Sequence, residues 1–208
     1  MRAFLALLTM MVSLAACAQD ATYKAGVHYQ VLNTPVTTAD PNKIEVTEVF
    51  WYGCGHCFRF EPMVNQWAKQ QGEDVNFVKS PAMWNGLMET HARAYYAAKA
   101  LGVLDKVHQP LFNALNLEKK RLADENELAE LFAQHGVAKA DFTKAYKSFG
   151  VSSQVRLADA NARGYQITGT PEMIVEGKYR VSAKMAGGQK QMLDVVNYLV
   201  TKARAERG

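Results

Sequence analysis

The chain has 208 residues, of which 49% are hydrophobic, and its 24 basic and 20 acidic side chains give a formal net charge of +4. The basic residues are scattered or lie next to acids, which argues against a nucleic-acid-binding surface, because such surfaces cluster their positive charge. Three cysteines are too few for a scaffold held together by several disulfides. The length suits one domain with a large insertion, or two small lobes that share a core.

Residues 1–18 have the features of a secretory signal peptide. Arg2 is followed by about a dozen apolar residues, a run too short to cross a bilayer as a helix. Two interpretations of its end stay open, since residues 16–18 suit an ordinary signal peptidase and residues 14–17 resemble a bacterial lipobox. We therefore expect an exported protein in which Cys17 is either removed or acylated as a lipid anchor. No later stretch approaches the ~18 apolar residues of a membrane span.

The next elements form a strand–helix–strand unit. Residues 43–52 first alternate between polar and apolar side chains and then become continuously apolar. This pattern predicts a strand that enters a buried sheet. Apolar residues at helical spacing over 57–71 predict a helix, kinked at Pro62, and residues 75–79 predict a second short strand. The motif Cys54-Gly55-His56-Cys57 therefore lies at the junction between the first strand and the helix.

The middle of the chain is predicted to be helical. Between Gly86 and about Gln166, glycines separate five amphipathic segments, at residues 87–101, 105–116, 125–135, 141–149 and 152–163. We assign residues 86–150 to a helical insertion domain. Beyond it, residues 172–176 and 178–182 predict two strands around Gly177, and residues 189–205 predict a closing amphipathic helix.

The spacing of Cys54 and Cys57 points to redox chemistry. A structural zinc site needs two more ligands, and the one further cysteine, Cys17, lies in the leader. The haem-attachment motif also fails, because Phe58 and not histidine follows the second cysteine. An exchanging cysteine pair is therefore favoured over a metal site or a purely structural disulfide, and no metal or cofactor is expected.

The predicted position of Cys54 at a helix N-terminus suits a reactive thiolate. Unpaired backbone N–H groups and the positive end of the helix dipole stabilise negative charge there. His56 can add an N–H donor or a positive charge, and Cys57, one turn into the helix, should be the more buried, resolving thiol. Nearby Met63, Met83 and Trp84 are predicted to fill the core rather than to form a peptide-binding surface.

The residues EVFWYGCGHCFRFEP at 48–62, Gly169-Thr170-Pro171, and VEGKY at 175–179 resemble the DsbA family of bacterial periplasmic thiol:disulfide oxidoreductases. The resemblance covers essentially the whole mature chain. It implies an α/β thioredoxin fold, a central mixed β-sheet flanked by helices, formed by residues 19–85 and 151–208 and interrupted by the all-helical domain 86–150. It further implies donation of the Cys54–Cys57 disulfide to reduced exported proteins in the periplasm of a Gram-negative bacterium, and reoxidation by a DsbB-like, quinone-linked membrane oxidase.

The resemblance also assigns roles within the cysteine motif. It makes Cys54 the nucleophile, Cys57 the resolving thiol and His56 the stabiliser of the thiolate. Pro171 becomes a cis-proline that faces the cysteines, in a loop that contacts the substrate. Cys54, Cys57 and His56 form the predicted catalytic centre, and Pro171 belongs to the predicted active-site loop.

Three charged residues align with groups that lie beneath the active site in this family. Glu48 is predicted to be a proton acceptor or charge tuner for Cys57, because a carboxylate within a strand is costly to bury without a partner. Glu61 and Lys79 have the same predicted location, and for these two the alternative is an exposed charge at a helix or strand end.

Gly55 and Thr170 depart from the family pattern. Many members have proline and valine at these positions, and the residues found here also occur in isomerase-like relatives. A disulfide reductase or isomerase is therefore one alternative function. The apolar residues Met63, Met83 and Trp84 suggest the other, a non-catalytic peptide-binding protein. Only about 25 residues precede the first sheet strand, which leaves no room for an N-terminal dimerisation domain, and we expect a monomer.

Overall fold

A computed structural model describes residues 23–207, and the predicted signal peptide with Cys17 lies outside the described residues. Five strands and eight helices are present in that range. The strands are β1 (Gln30–Val31), β2 (Ile44–Phe50), β3 (Val75–Pro81), β4 (Glu172–Val175) and β5 (Tyr179–Ser182). The helices are α1 (Gly55–Lys69), α2 (Gly86–Ala100), α3 (Leu104–Asn116), α4 (Glu125–Gln134), α5 (Lys139–Tyr146), α6 (Phe149–Gly164), α7 (Ala183–Ala186) and α8 (Gln189–Arg207).

The strands form one mixed sheet in the order β1-β5-β4-β2-β3. Strands β2 and β3 are parallel, as expected for two strands joined by a crossover helix, and the other neighbours are antiparallel. All seven residues of β2 are buried, including the polar residues Glu45, Thr47 and Glu48. The predicted strand–helix–strand unit and the mixed sheet with flanking helices are confirmed.

Two of the three apolar clusters among the described residues meet near the carboxyl end of β2. One core joins the sheet to α1 and α8, and it includes Phe60, Val64 and Met192. The other fills the space between the helices of the central region and the end of β2, and it includes Phe50 and Cys57. The cysteine motif therefore lies where the sheet and the helical region pack together.

The helices follow the predicted periodicity to within a few residues, whereas the two-residue strand β1 and the one-turn helix α7 are too short to leave a periodic signal. Helix α6 begins at Phe149, and its buried residues Val151, Val155 and Ala158 belong to the core of the helical region. We therefore propose that the helical insertion extends through α6 and does not end at residue 150.

Two large apolar side chains near the cysteine motif are exposed. Trp84 is 54% exposed and Met63 is 37% exposed, while Met83 packs partly buried against the helical core. The prediction that these residues fill the core is therefore wrong for Trp84 and Met63: Trp84 lies in the loop between β3 and α2, and Met63 lies on the exposed side of α1.

Within residues 23–207, no helix is long and apolar enough to cross a membrane.

Candidate active site

Cys54 is the N-cap residue of α1. The chain leaves β2 at Phe50, turns so that the Cys54 backbone nitrogen donates to the Trp51 carbonyl at 3.0 Å, and enters the helix at Gly55. The Cys54 backbone is extended, with φ −84° and ψ 112°, and its Sγ accepts a hydrogen bond from the backbone nitrogen of Cys57 at 3.4 Å. A sulfur thus occupies the position in which serine or aspartate commonly caps a helix.

The surroundings of the half-buried Cys54 stabilise its thiolate. A hydrogen bond from the Cys57 thiol is the largest influence, and although burial opposes ionisation, the pKa of Cys54 falls from 9.0 to about 5. The Thr170 side chain and the backbone N–H groups of Cys57 and His56 lower this pKa further. Cys54 is therefore ionised near neutral pH and accessible from one side.

Cys57 has the opposite character. Its side chain is completely buried, and this burial, together with hydrogen bonding to Cys54 and the negative charges of Cys54 and Glu48, raises its pKa far above the ordinary thiol range. Cys57 therefore remains a neutral thiol whenever the pair is reduced. The two sulfurs of one short motif differ strongly in charge and in access to solvent.

The loop that ends in Pro171 covers Cys54. The Thr170–Pro171 peptide bond is cis, and the Thr170 carbonyl oxygen lies 3.3 Å from the Cys54 Sγ, where it accepts a hydrogen bond from the neutral thiol. The loop begins near Thr168, whose hydroxyl donates to the buried carboxylate of Glu172 at 2.9 Å. This hydrogen bond ties the start of the loop to the residue that follows Pro171. Thr170 and Pro171 therefore lie beside Cys54, where the sequence analysis predicted them.

His56 acts on Cys54 through its backbone rather than through its imidazole ring. The exposed imidazole lies within hydrogen-bonding distance of Arg59, with 3.1 Å between its Nδ1 and the guanidinium. The backbone carbonyl of His56 accepts a hydrogen bond from Gln189 at 2.8 Å, which ties the motif to the start of α8. The backbone N–H of His56 is the group of this residue that lowers the pKa of Cys54.

Glu48, Glu61 and Lys79 form a buried ion-pair cluster behind the cysteines. The Lys79 ammonium lies 2.5 Å from a Glu48 oxygen and 2.9 Å from a Glu61 oxygen. The Lys79 side chain is 12% exposed, that of Glu61 is 1% exposed and that of Glu48 is fully buried. The alternative in which Glu61 and Lys79 are exposed charges is therefore wrong, because each is held in the interior by the other.

The two carboxyl groups of this cluster have pKa values that move in opposite directions. Burial raises the pKa of Glu48, and the attraction of Lys79 only partly offsets it. Burial also acts to raise the pKa of Glu61, but hydrogen bonds from His108 and Lys79 outweigh it and hold the pKa low. Glu48 is thus the carboxyl group better suited to carry a proton, and its charge acts on Cys57.

Sequence reasoning missed His108, which lies on α3 in the helical region. Its Nε2 lies 3.0 Å from the second oxygen of Glu61, and its Nδ1 lies 2.6 Å from the Tyr52 hydroxyl. A single histidine on an amphipathic helix carries no local signal, and its partners lie 47 and 56 residues away in the chain. Within the described residues, no three histidine, cysteine or carboxylate side chains are grouped as metal ligands.

Comparisons with known proteins agree with this geometry. The family model described as "DSBA-like thioredoxin domain" matches residues 66–200, well over half of the chain. The thiol:disulfide interchange protein DsbA of Azotobacter vinelandii is 45% identical over 89% of this chain and 86% of its own length. The DsbA of Pseudomonas aeruginosa strain PAO1 is 40% identical over 96% of each chain.

Solved structures show the same relationship. The crystal structure of P. aeruginosa DsbA superposes with a TM-score of 0.86 at 40% identity, covering 89% of this chain and 96% of that one. The crystal structure of the oxidoreductase DsbA from Xylella fastidiosa has a TM-score of 0.82 at 31% identity, covering 88% and 98%. On the combined evidence of the fold, the cysteine motif and these relatives, the chain belongs to the DsbA family of thiol:disulfide oxidoreductases.

Proposed function

We propose that this protein oxidises thiol pairs in exported proteins by donating its Cys54–Cys57 disulfide during oxidative folding in the periplasm. The observation that carries the proposal is the inequality of the two thiols. Cys54 has a pKa of about 5 and is half-buried, whereas Cys57 is fully buried with a raised pKa. A stabilised thiolate favours the reduced enzyme and therefore makes its disulfide a strong oxidant.

The reaction proceeds through a mixed disulfide. A substrate thiolate attacks the Sγ of Cys54, the Cys54–Cys57 bond breaks, and the electron pair passes to the Sγ of Cys57, which takes up a proton. A second substrate thiolate then attacks the substrate sulfur of the mixed disulfide, and Cys54 leaves as a thiolate. The substrate gains a disulfide, and the enzyme retains both electrons as the reduced pair.

We assign Glu48 as the group that exchanges a proton with Cys57. Both side chains are fully buried, the charge of Glu48 acts on Cys57, and burial raises the pKa of Glu48 so that it can carry a proton nearer to neutral pH. Lys79 and Glu61 hold Glu48 in place and set its charge.

The residues around Cys54 then tune the thiolate and the substrate loop. His56 contributes its backbone N–H, Thr170 its hydroxyl and Gly55 the first position of α1, while Pro171 forms the loop edge beside Cys54. These roles belong to the same proposal.

Several wider features of the function follow from family membership. We propose that a DsbB-like, quinone-linked membrane oxidase restores the disulfide and that the protein works as a monomer. We further propose that it resides in the periplasm of a Gram-negative bacterium, either free or held through a lipid on Cys17. The mass of the mature N-terminus distinguishes these two forms.

The proposal is tested by the reduction potential of the Cys54–Cys57 pair together with the oxidation of a reduced, unfolded protein substrate. We expect a potential well above that of thioredoxin, roughly −270 mV, and closer to the roughly −120 mV of the strongest oxidants of this fold. Cys54→Ser and Cys57→Ser should each abolish oxidation, because neither variant can form the disulfide that the substrate thiols reduce. A potential close to that of thioredoxin would instead indicate a reductase or isomerase. If the wild type oxidises no substrate and Cys54→Ser still binds it, the protein is a peptide-binding protein.

A further inference from the structure

A continuous chain of polar groups runs from behind the cysteines to the helical insertion. Glu48 contacts Lys79 at 2.5 Å, Lys79 contacts Glu61 at 2.9 Å, and Glu61 contacts the Nε2 of His108 at 3.0 Å. The Tyr52 hydroxyl closes the chain on the Nδ1 of His108 at 2.6 Å. These groups come from the sheet, from α1 and from α3, so the chain exists only because the insertion packs on the sheet.

The two ends of this chain differ in their access to solvent. Glu48 is fully buried and Glu61 almost so, whereas the side chains of His108 and Lys79 are each 12% exposed. A cleft of about 420 Å³ between α1 and α3 is lined by His108, Glu61 and Lys79. Lys79 and the imidazole are therefore the groups of this cluster that reach the cleft, and the Lys79 ammonium is already bonded to both carboxyl groups.

Each ring nitrogen of His108 has a different hydrogen-bond partner. Burial raises the pKa of Tyr52 well above its ordinary value, so the phenol keeps its proton beside the Nδ1 of the imidazole. The Nε2 then carries the hydrogen that is donated to the Glu61 carboxylate. The hydrogen on Nε2 is thus adjacent to a carboxylate of the buried cluster.

The exchange reaction requires a path by which protons enter and leave the buried site. Each time Cys57 leaves the disulfide it takes up a proton, and both Cys57 and Glu48 are fully buried. One of the Glu48 oxygens has no hydrogen-bond partner among the described residues, and the other contacts Lys79, so the side-chain contacts of Glu48 lead through Lys79. We propose that His108 is the residue through which Glu48 exchanges protons with solvent, a step that rests on the proposed function.

The transfer balances without any further reactant. The ring first takes up a proton from solvent in the cleft and becomes an imidazolium. It then gives a proton from Nε2 to Glu61 while Lys79 gives one to Glu48, and Glu61 returns a proton to Lys79. The net result is one proton moved from solvent to Glu48, with Glu61 and Lys79 unchanged and the imidazole neutral again. In reoxidation the same steps run in reverse, and Cys57 loses its proton outward along the chain.

Other ionisable groups surround the imidazole from each neighbouring element. They are Tyr52 after β2, Glu61 and Lys69 on α1, Lys79 on β3, Tyr95 on α2 and Asp105 on α3. Burial raises the pKa of Tyr95 well above its ordinary value, and its hydroxyl donates to the backbone carbonyl of Lys79. Glu61 is the only one of these six that directly bonds both the imidazole and Lys79.

The test uses the full mature protein in its oxidised form, reacted with glutathione in a single turnover, quenched with acid and assayed for the mixed disulfide and free thiols. His108→Gln retains a hydrogen-bond donor toward Glu61 but cannot relay a proton, and His108→Ala also opens space in the cleft. We expect both variants to slow the proton-dependent release of Cys57 about tenfold or more, within the range of general acid–base effects. We expect added imidazole, but not pyrazole of the same shape, to restore the rate of His108→Ala.

His135→Ala is the matched control, because this histidine lies exposed at the end of α4 and outside the chain of polar groups. It should react as the wild type does, with or without imidazole. Unchanged rates in both His108 variants, or slow rates that imidazole does not restore, would overturn the proposal while the proposed function stands. Loss of stability is checked by urea unfolding of each variant, and rescue by imidazole separates proton relay from a packing defect. Failure of the wild type to exchange with glutathione would instead refute the proposed function.

Discussion

The backbone nitrogen of Cys57 lies 3.4 Å from the Sγ of Cys54, so the first cysteine caps the helix that contains the second. The four N–H groups at the start of a helix have no partner within it, and a charged cap satisfies them more strongly than a neutral one. The interaction is therefore strongest when Cys54 is a thiolate, and it weakens when the sulfur is held in a disulfide. Helix capping and redox strength are two results of one contact.

The reduced protein should gain stability relative to the oxidised protein as the pH rises. The pKa of Cys54 is depressed to about 5 in the folded protein, so its contribution is present in full above the ordinary thiol pKa of ~8.5 and is lost as the pH falls through about 5. Between about pH 4 and about pH 8 the gain is at most about 4 kcal/mol, and solvent screening at this half-exposed thiol lowers it. Urea unfolding of both forms at these two pH values measures the change, and a difference that does not vary with pH would contradict it.

Thr170→Val should raise the pKa of Cys54. The variant removes the hydroxyl that helps to lower this pKa, and it keeps the branched shape and the backbone carbonyl of the loop. A hydrogen bond of about 0.5–1.5 kcal/mol corresponds to a rise of roughly 0.4–1.1 pKa units, visible in the ultraviolet absorbance of the thiolate during an acid titration.

Thr168→Val is the matched control for this titration. Its hydroxyl donates to Glu172 in the same loop and makes no contact with the Cys54 sulfur among the described hydrogen bonds. We expect this control to lower stability and to leave the pKa of Cys54 nearly unchanged. Equal shifts in the two variants would mean that the loop as a whole, and not the Thr170 hydroxyl, acts on the thiolate.

The location of the cysteine motif could be predicted because its signals are local. A β-branched and aromatic run, Gly53 and a helical period follow one another within about 30 residues, and each reports on its own segment. The family resemblance extended this prediction to Pro171, more than a hundred residues away.

The chemistry behind the cysteines could be predicted only in part. Glu48 was recognisable because a carboxylate within an apolar strand is unusual, but the same logic left Glu61 and Lys79 undecided. The burial of Glu61 depends on His108, whose approach requires that α3 pack on α1. Periodicity along one helix specifies which face is apolar, and it does not specify which polar group on another helix will meet it.

Lys79→Met should destabilise the protein by roughly 3–5 kcal/mol at neutral pH. The substitution keeps the apolar volume of the side chain but leaves the carboxyl groups of Glu48 and Glu61 buried without their shared cation. The pKa of Glu48, already raised by burial, should rise further, because the attraction of Lys79 that opposed the rise is lost. Urea unfolding near neutral pH measures the cost.

The double variant Lys79→Met with Glu48→Gln is the comparison for this measurement. Removing the second charge should recover a large part of the lost stability, since one unpaired carboxylate is then absent. The single variant should also lose less stability at low pH, where protonation neutralises Glu48. A single variant that costs less than about 1 kcal/mol would mean that solvent reaches these carboxylates readily.

Gly55→Pro should preserve the fold and increase its stability by roughly 0.4–1 kcal/mol. Gly55 is the first residue of α1, the position at which the fixed φ of proline suits a helix and its missing N–H is least costly. A Cβ at this position would lie 3.4 Å from the Arg59 guanidinium and 3.8 Å from the Asn116 side-chain oxygen, so the added ring requires little movement. The pKa of Cys54 should change by less than about half a unit, because the N–H groups of His56 and Cys57 are retained. Gly55→Ala is the control, because it adds a Cβ and keeps the N–H. A reduction potential that shifts in the proline variant alone would show that the Gly55 N–H also stabilises the thiolate.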